Sequence, residues 1–224
     1  MQHNITQENF NGELEKISIA LIHQITCIES LIATGWQDSV YRQLVENEKI
    51  IDTQEDLFIK NFTVYMALMS PKVKLLRKII SIHEAILFME IMSDLMVDIA
   101  DSLKKIKLNK PELEALKNDL QHIFDILKTI VQMVTFGFFK EDMTMAYPVI
   151  EKNKAIEKRL HQIQENLMDF YRAIPLDNDK LQHLLDLSRI IYLVEKIQKF
   201  TINIAKLIIF VTEGTNIRHQ RFEK

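Results

Sequence analysis

The chain has 224 residues, among them only four glycines and four prolines. Ordinary proteins use roughly 12% of these two types together, and a sandwich or barrel needs them at turns roughly every 8–12 residues. An all-β fold is therefore excluded, and a doubly wound α/β fold lacks its Gly-rich strand-to-helix turn. Apolar residues make up 47% and charged residues 26%, with a formal net charge of −3. This is a globular balance with no overall nucleic-acid-binding character.

Cys27 is the single cysteine, which excludes an internal disulfide and clustered thiolate metal sites. The N-terminal sequence lacks the basic-then-apolar order of a signal peptide. No uninterrupted apolar run approaches the roughly 18–20 residues of a membrane span. The expectation is a soluble, cytoplasmic protein built from long helices.

The few breakers divide the chain. A first helix is predicted from Gly12 to Thr34, stopped by Gly35. A second runs from Gln37 to Met69 and stops at Ser70-Pro71, because proline disfavours helix in the residue before it. A third follows Pro71 and fades near Lys107. Leu108–Pro111 is the best linker, separating residues 1–108 from 109–224. A fourth helix ends near Gly137. A fifth covers Lys140 to Ala173, kinked or started late by Pro148. Ile174–Asp179 forms a loop. A sixth helix reaches Thr212 and is capped by Gly214.

Three helices thus lie on each side of the linker, and the two halves align. Val45–Asp52 lies over Ile150–Glu157, and Met89–Leu103 over Val194–Ile208, both at an offset of 105. Glu46, Lys49, Ile51, Glu90, Ile99 and Ala100 are identical to their counterparts. Two separate segments sharing one offset indicate a duplicated three-helix unit. The fold class is all-α, six helices as two tandem three-helix bundles.

The third helix carries the sharpest signal. Twelve of the sixteen residues from Ala85 to Ala100 are apolar. Its apolar stripe runs through Leu75, Ile79, Ile82, Ile86, Met89, Met96 and Ala100, interrupted only by Ser93. Yet Glu90, Asp94 and Asp98 recur every fourth residue, on one narrow face, where like charges repel. The second helix holds another such pair, Glu48 and Asp52. Asp52 lies 19 residues before Pro71 and Glu90 lies 19 after it, so a helical hairpin brings the two pairs to one height. Four converging carboxylates suit a hard or borderline cation; a solvated acidic face is the alternative.

These residues resemble the PhoU family of phosphate-uptake regulators. Glu46–Glu55 resembles its second-helix acidic motif, with Glu48, Ile51, Asp52 and Glu55 in register. Met69–Ile79 resembles its proline turn followed by Leu-Arg, here Leu76-Arg77. Met89–Ala100 resembles its Leu-Glu-Arg-Ile-Gly-Asp segment, keeping Glu90 and Asp94 but with Ile91 for the arginine and Met92-Ser93 for Ile-Gly. Asn203–Gln220 resembles its C-terminal pattern most closely.

The resemblance implies a metal site, of iron or zinc, on Glu48, Asp52, Glu90 and Asp94, with Glu55 and Asp98 as possible outer ligands. It implies a cytoplasmic regulator that binds a phosphate ABC transporter and a two-component sensor kinase, restrains phosphate-starvation signalling and forms dimers. It implies binding rather than catalysis. An accessory subunit of a secondary phosphate carrier is the nearest alternative, and a helical metalloenzyme a more distant one.

The second repeat departs from the pattern. Asn153 stands where Glu48 stands, and Lys199 where Asp94 stands, leaving Glu157 and Glu195. In this degenerate site Lys199 is expected to take the place of a metal by pairing with Glu195, with Glu157 completing the bridge. A ferritin-like di-iron centre is excluded, since no histidine has glutamate three residues before it. His83 is expected to be a polar surface residue, Cys27 a packed thiol, and the phenylalanines around Gly137 core or interface. The short basic tail after Gly214 is expected to be solvated, with contact to anionic lipid or an acidic partner as the alternative. No basic pocket is evident.

Overall fold

The computed structural model describes residues 7–106, 113–173 and 177–214. They form six helices: α1 (Gln7–Thr34), α2 (Asp38–Met69), α3 (Val73–Lys105), α4 (Glu114–Lys140), α5 (Ala146–Arg172) and α6 (Asn178–Glu213). A short 3-10 turn, Met143–Met145, precedes α5. The proposed linker at 108–111, with the boundary between the halves, lies outside the described residues, as does the tail from 215 onward.

The first three helices pack on one another, and so do the last three. The two bundles join side by side along α3 against α6 and α1 against α4. Phe88 of α3 meets Phe200 of α6 at 5.5 Å between ring centroids. Across the α1–α4 contact, the Thr135 hydroxyl donates to Ser18 Oγ at 2.7 Å. One apolar core runs through both bundles.

In α1, Phe10, Leu14, Ile17, Leu21, Ile25, Ile28 and Ile32 are all fully buried. Their three- and four-residue spacing is the seam of a packed helix. Phe10 anchors the first turn edge-on against Phe58 and Tyr65. This explains why α1 begins at Gln7 rather than at Gly12: burial of Phe10 carries the helix through the glycine.

One further expectation is corrected and another is decided between its alternatives. Gly137 does not end α4, which runs on to Lys140. A Cβ there would lie 2.8 Å from Ile208 Cδ1, so the glycine serves the close approach of α6. Of the two expectations for Pro148 the late start holds: it is the third residue of α5, where its missing N–H has no partner to lose. The apolar-run reading also changes. Phe10–Thr34 and α4 are each long and apolar enough to cross a membrane by length and composition. Their interrupting polar residues hide this in a run count, and their apolar faces are turned into the core.

Gly214 closes α6 in the left-handed region at φ 74, with its N–H on Phe210 O at 3.0 Å. A Cβ at this position would meet the guanidinium of Arg77. Gly214→Ala is expected to cost about 1–2 kcal/mol through left-handed strain. A thermal melt should show Tm lowered by about 2–8 °C.

Candidate functional site

The α2 stripe explains the acidic site. Leu44, Ile51, Phe58 and Tyr65 are its buried residues, one every seven positions. In a two-residue-per-heptad seam a second apolar residue would stand three or four places on. Those places hold Tyr41, Glu48, Glu55 and Phe62. At one end Phe62 stacks on His83 of α3, with ring centroids 5.1 Å apart. His83 is thus a packed ring rather than a polar surface residue, and burial lowers its pKa. In the middle of the seam, Glu48 and Glu55 replace apolar side chains and are half-buried.

The apolar stripes on either side bring these carboxylates against α3. Oxygens of Glu48, Asp52 and Asp94 lie within 4.8 Å of one another. Glu90 joins them through a hydrogen bond with Asp94. Of the four predicted ligands, three therefore converge directly and the fourth adjoins them. Glu55 is close enough to feel Asp52 and Asp94. Asp98 pairs with Arg189 of α6 at 3.4 Å, while its charge still acts on Asp94. Sequence reading passed over Tyr41, which hydrogen-bonds Asp101 and feels the charge of Glu48. Its place seven residues before Glu48 was the available signal.

Burial is the first cause of the raised pKa of Glu48, Glu55 and Asp94, and neighbouring carboxylates are the second. For Glu90 the same causes push the carboxyl up to about 7, with Asp94 the strongest neighbour, then Glu55, Asp52 and Glu48. Among the described residues none of Glu48, Asp52, Glu55, Glu90 and Asp94 pairs with Lys, Arg or His. The cluster is an all-oxygen donor set with excess negative charge, and it fits a hard cation.

In the second repeat one of the two remaining carboxylates is paired within its own helix. Lys199 pairs with Glu195 at 2.5 Å. Asn153 is fully buried; its Nδ2 donates to Val149 O at 2.9 Å, and its Oδ1 accepts from the Thr201 hydroxyl at 2.9 Å. Glu157 is exposed and has no ion pair among the described residues, so the expected three-way bridge is a pair.

No protein-family model matches the chain. Curated relatives do. A phosphate-specific transport system accessory protein PhoU homolog from Aquifex aeolicus is 25% identical over 182 residues, 81% of this chain and 80% of that protein. One from Pseudomonas putida is 24% identical over 100% of this chain and 88% of its own length. Over most or all of its length the chain is similar to PhoU proteins. The fold agrees. The crystal structure of PhoU from Pseudomonas aeruginosa superposes with a TM-score of 0.81 at 19% identity, covering 93% of this chain and 97% of that one. PhoU from Streptococcus pneumoniae gives a TM-score of 0.82 at 15% identity, covering 94% and 96%.

Two PhoU-like segments meet in space, since Arg77 of the Leu-Arg turn lies against Gly214 near the chain's C-terminal end. The rest of that C-terminal pattern, 215–220, lies outside the described residues.

The Glu90 carboxyl sets a pH dependence. Its pKa is raised from 4.5 to about 7. Between these values the folded protein holds a proton that the unfolded chain does not, so stability falls as pH rises through the window. In metal-free protein at pH 8, Glu90→Gln should raise stability by about 1 kcal/mol, allowing for solvent screening, or Tm by about 2–4 °C. At pH 4, where the carboxyl is protonated in both states, the two melts should coincide.

Proposed function

We propose that the chain is an accessory regulator of phosphate transport that acts by binding and holds a hard cation on the α2–α3 seam. The observation that carries the first part is similarity over essentially the full chain to proteins named as phosphate-specific transport accessory proteins, joined to the shared six-helix fold. In this reading the protein works at the cytoplasmic face. It docks helical surfaces on a phosphate ABC transporter and its sensor kinase, and it restrains the starvation response. A second copy of the chain is a further partner in this reading.

The donor set supports the second part. Glu48, Asp52 and Asp94, with Glu90 alongside, would hold the cation. Iron bound by carboxylates fits better than zinc, whose protein sites lean on histidine and cysteine. The cation would supply positive charge that cancels the repulsion across the seam. The protein's own side chains would fix the separation of α2 and α3, and so the surface that a partner meets.

Deleting the gene and following phosphate-starvation output tests the regulatory role. Constitutive output under ample phosphate is expected. Normal repression together with loss of transport by one secondary carrier would replace this reading with the accessory-subunit alternative. The cation is tested separately, by metal mass spectrometry on protein purified without chelator. Wild type should carry metal at a constant ratio per chain, and Glu90→Ala/Asp94→Ala less than about a tenth of it. Equal content in the two proteins would remove the cation from the seam.

A further inference from the structure

A second charged site lies at the start of α3, away from the acidic cluster. A cleft of about 570 Å³ opens where α2 turns into α3 and α4 ends. Three lysines line it, Lys72, Lys74 and Lys78, and one glutamate, Glu141, with Tyr65 and Ser70 beside them. The sequence hid this grouping because Glu141 comes from the far bundle.

Lys78 is the informative member. Its side chain is only 4% exposed. An ammonium has three donors, and among the described residues its one hydrogen-bond acceptor is Glu141 Oε1, at 3.1 Å. The other oxygen of Glu141 takes Lys74 at 2.8 Å. One carboxylate therefore serves two ammonium groups, and Lys72 adds a third cation to the lining. Lys74 first, and then Lys78, hold Glu141 below the usual carboxylate range against the opposing effect of its burial. The cleft is already organised around an oxyanion, supplied by the protein itself, and it keeps positive charge in excess.

The backbone agrees with a shaped site. Ser70 and Glu141, at φ 40 and φ 50, are the non-glycine residues with positive φ among those described, and both line this cleft. The bridge also has a mechanical role. α3 and α4 have little other contact, so Glu141 links α3 to the end of α4 beside the larger α1–α4 packing.

We propose that the cleft binds a divalent oxyanion of the phosphate type, which takes over the ammonium groups of Lys74 and Lys78 from Glu141 and releases the tie between α3 and α4. The ligand is either free inorganic phosphate or the phosphate group of an ester. The inference is independent of the cation on the seam, since Lys78 and Glu90 stand about 18 Å apart along the helix.

Calorimetric titration of the full chain with inorganic phosphate, and separately with glycerol 3-phosphate, tests it. Glu141 competes with the ligand, so Glu141→Gln should bind about three- to ten-fold tighter than wild type. Lys78→Met should bind at least about ten-fold weaker, the loss of a charge-assisted contact. Lys74→Gln, at an exposed position that does not threaten folding, should bind about three-fold weaker. Circular dichroism checks that each variant is helical. Tighter binding of inorganic phosphate identifies the free anion as ligand, and tighter binding of the ester identifies an esterified one. If neither compound binds wild type or Glu141→Gln, or if the lysine and glutamate substitutions leave affinity unchanged, the proposal is overturned.

Discussion

The repulsion between carboxylates on α2 and α3 is the constraint on which the first bundle turns. Leu44, Ile51, Phe58 and Tyr65 hold α2 in place, each contributing about 1.5–3 kcal/mol by burial. Those residues alternate along the helix with Glu48 and Glu55. Seating the stripe therefore forces the acids against Asp94 and Glu90, whatever the electrostatic cost. The bundle is assembled by its apolar residues and strained by its acidic ones, and burial and charge raise the carboxyl pKa values together.

The duplicated unit shows the same scaffold with the strain removed. Lys199 answers Glu195 within one turn. Asn153 carries no charge and is tied inward to Val149 and Thr201. One repeat pairs Glu195 with a lysine and leaves Glu157 in solvent, while the other presents unbalanced negative charge on a half-buried seam. A chain that had lost all use for the site would have no physical reason to keep it in the costlier form. The asymmetry supports a role for the first repeat that the second does not share.

Much of this was legible in one dimension. Scarce glycine and proline gave the helices, and the equal distances of Asp52 and Glu90 from Pro71 gave the meeting of their two helices. Local rules failed where a distant element decided. Gly137 looks like a helix stop, but Ile208 of α6 is what requires it. Asp98 continues the acidic spacing of Glu90 and Asp94, but its partner Arg189 comes from the other bundle. Glu141 and Lys78 are far apart in sequence, and only the side-by-side joining of the bundles makes them partners. Within a bundle, spacing carries the information; between bundles, it does not.

The single stripe of α2 has a dynamic consequence. Besides its four buried residues, α2 packs Val40, Tyr41, Val45, Phe62 and Met66 partly against the core. Lifting α2 would separate the like charges across the seam. Electrostatic relief works against that packing, so the protection of α2 amides against exchange should fall as the seam carboxylates ionise. Any cation bridging α2 and α3 would act on that motion before it acted on global stability, as a latch on one helix.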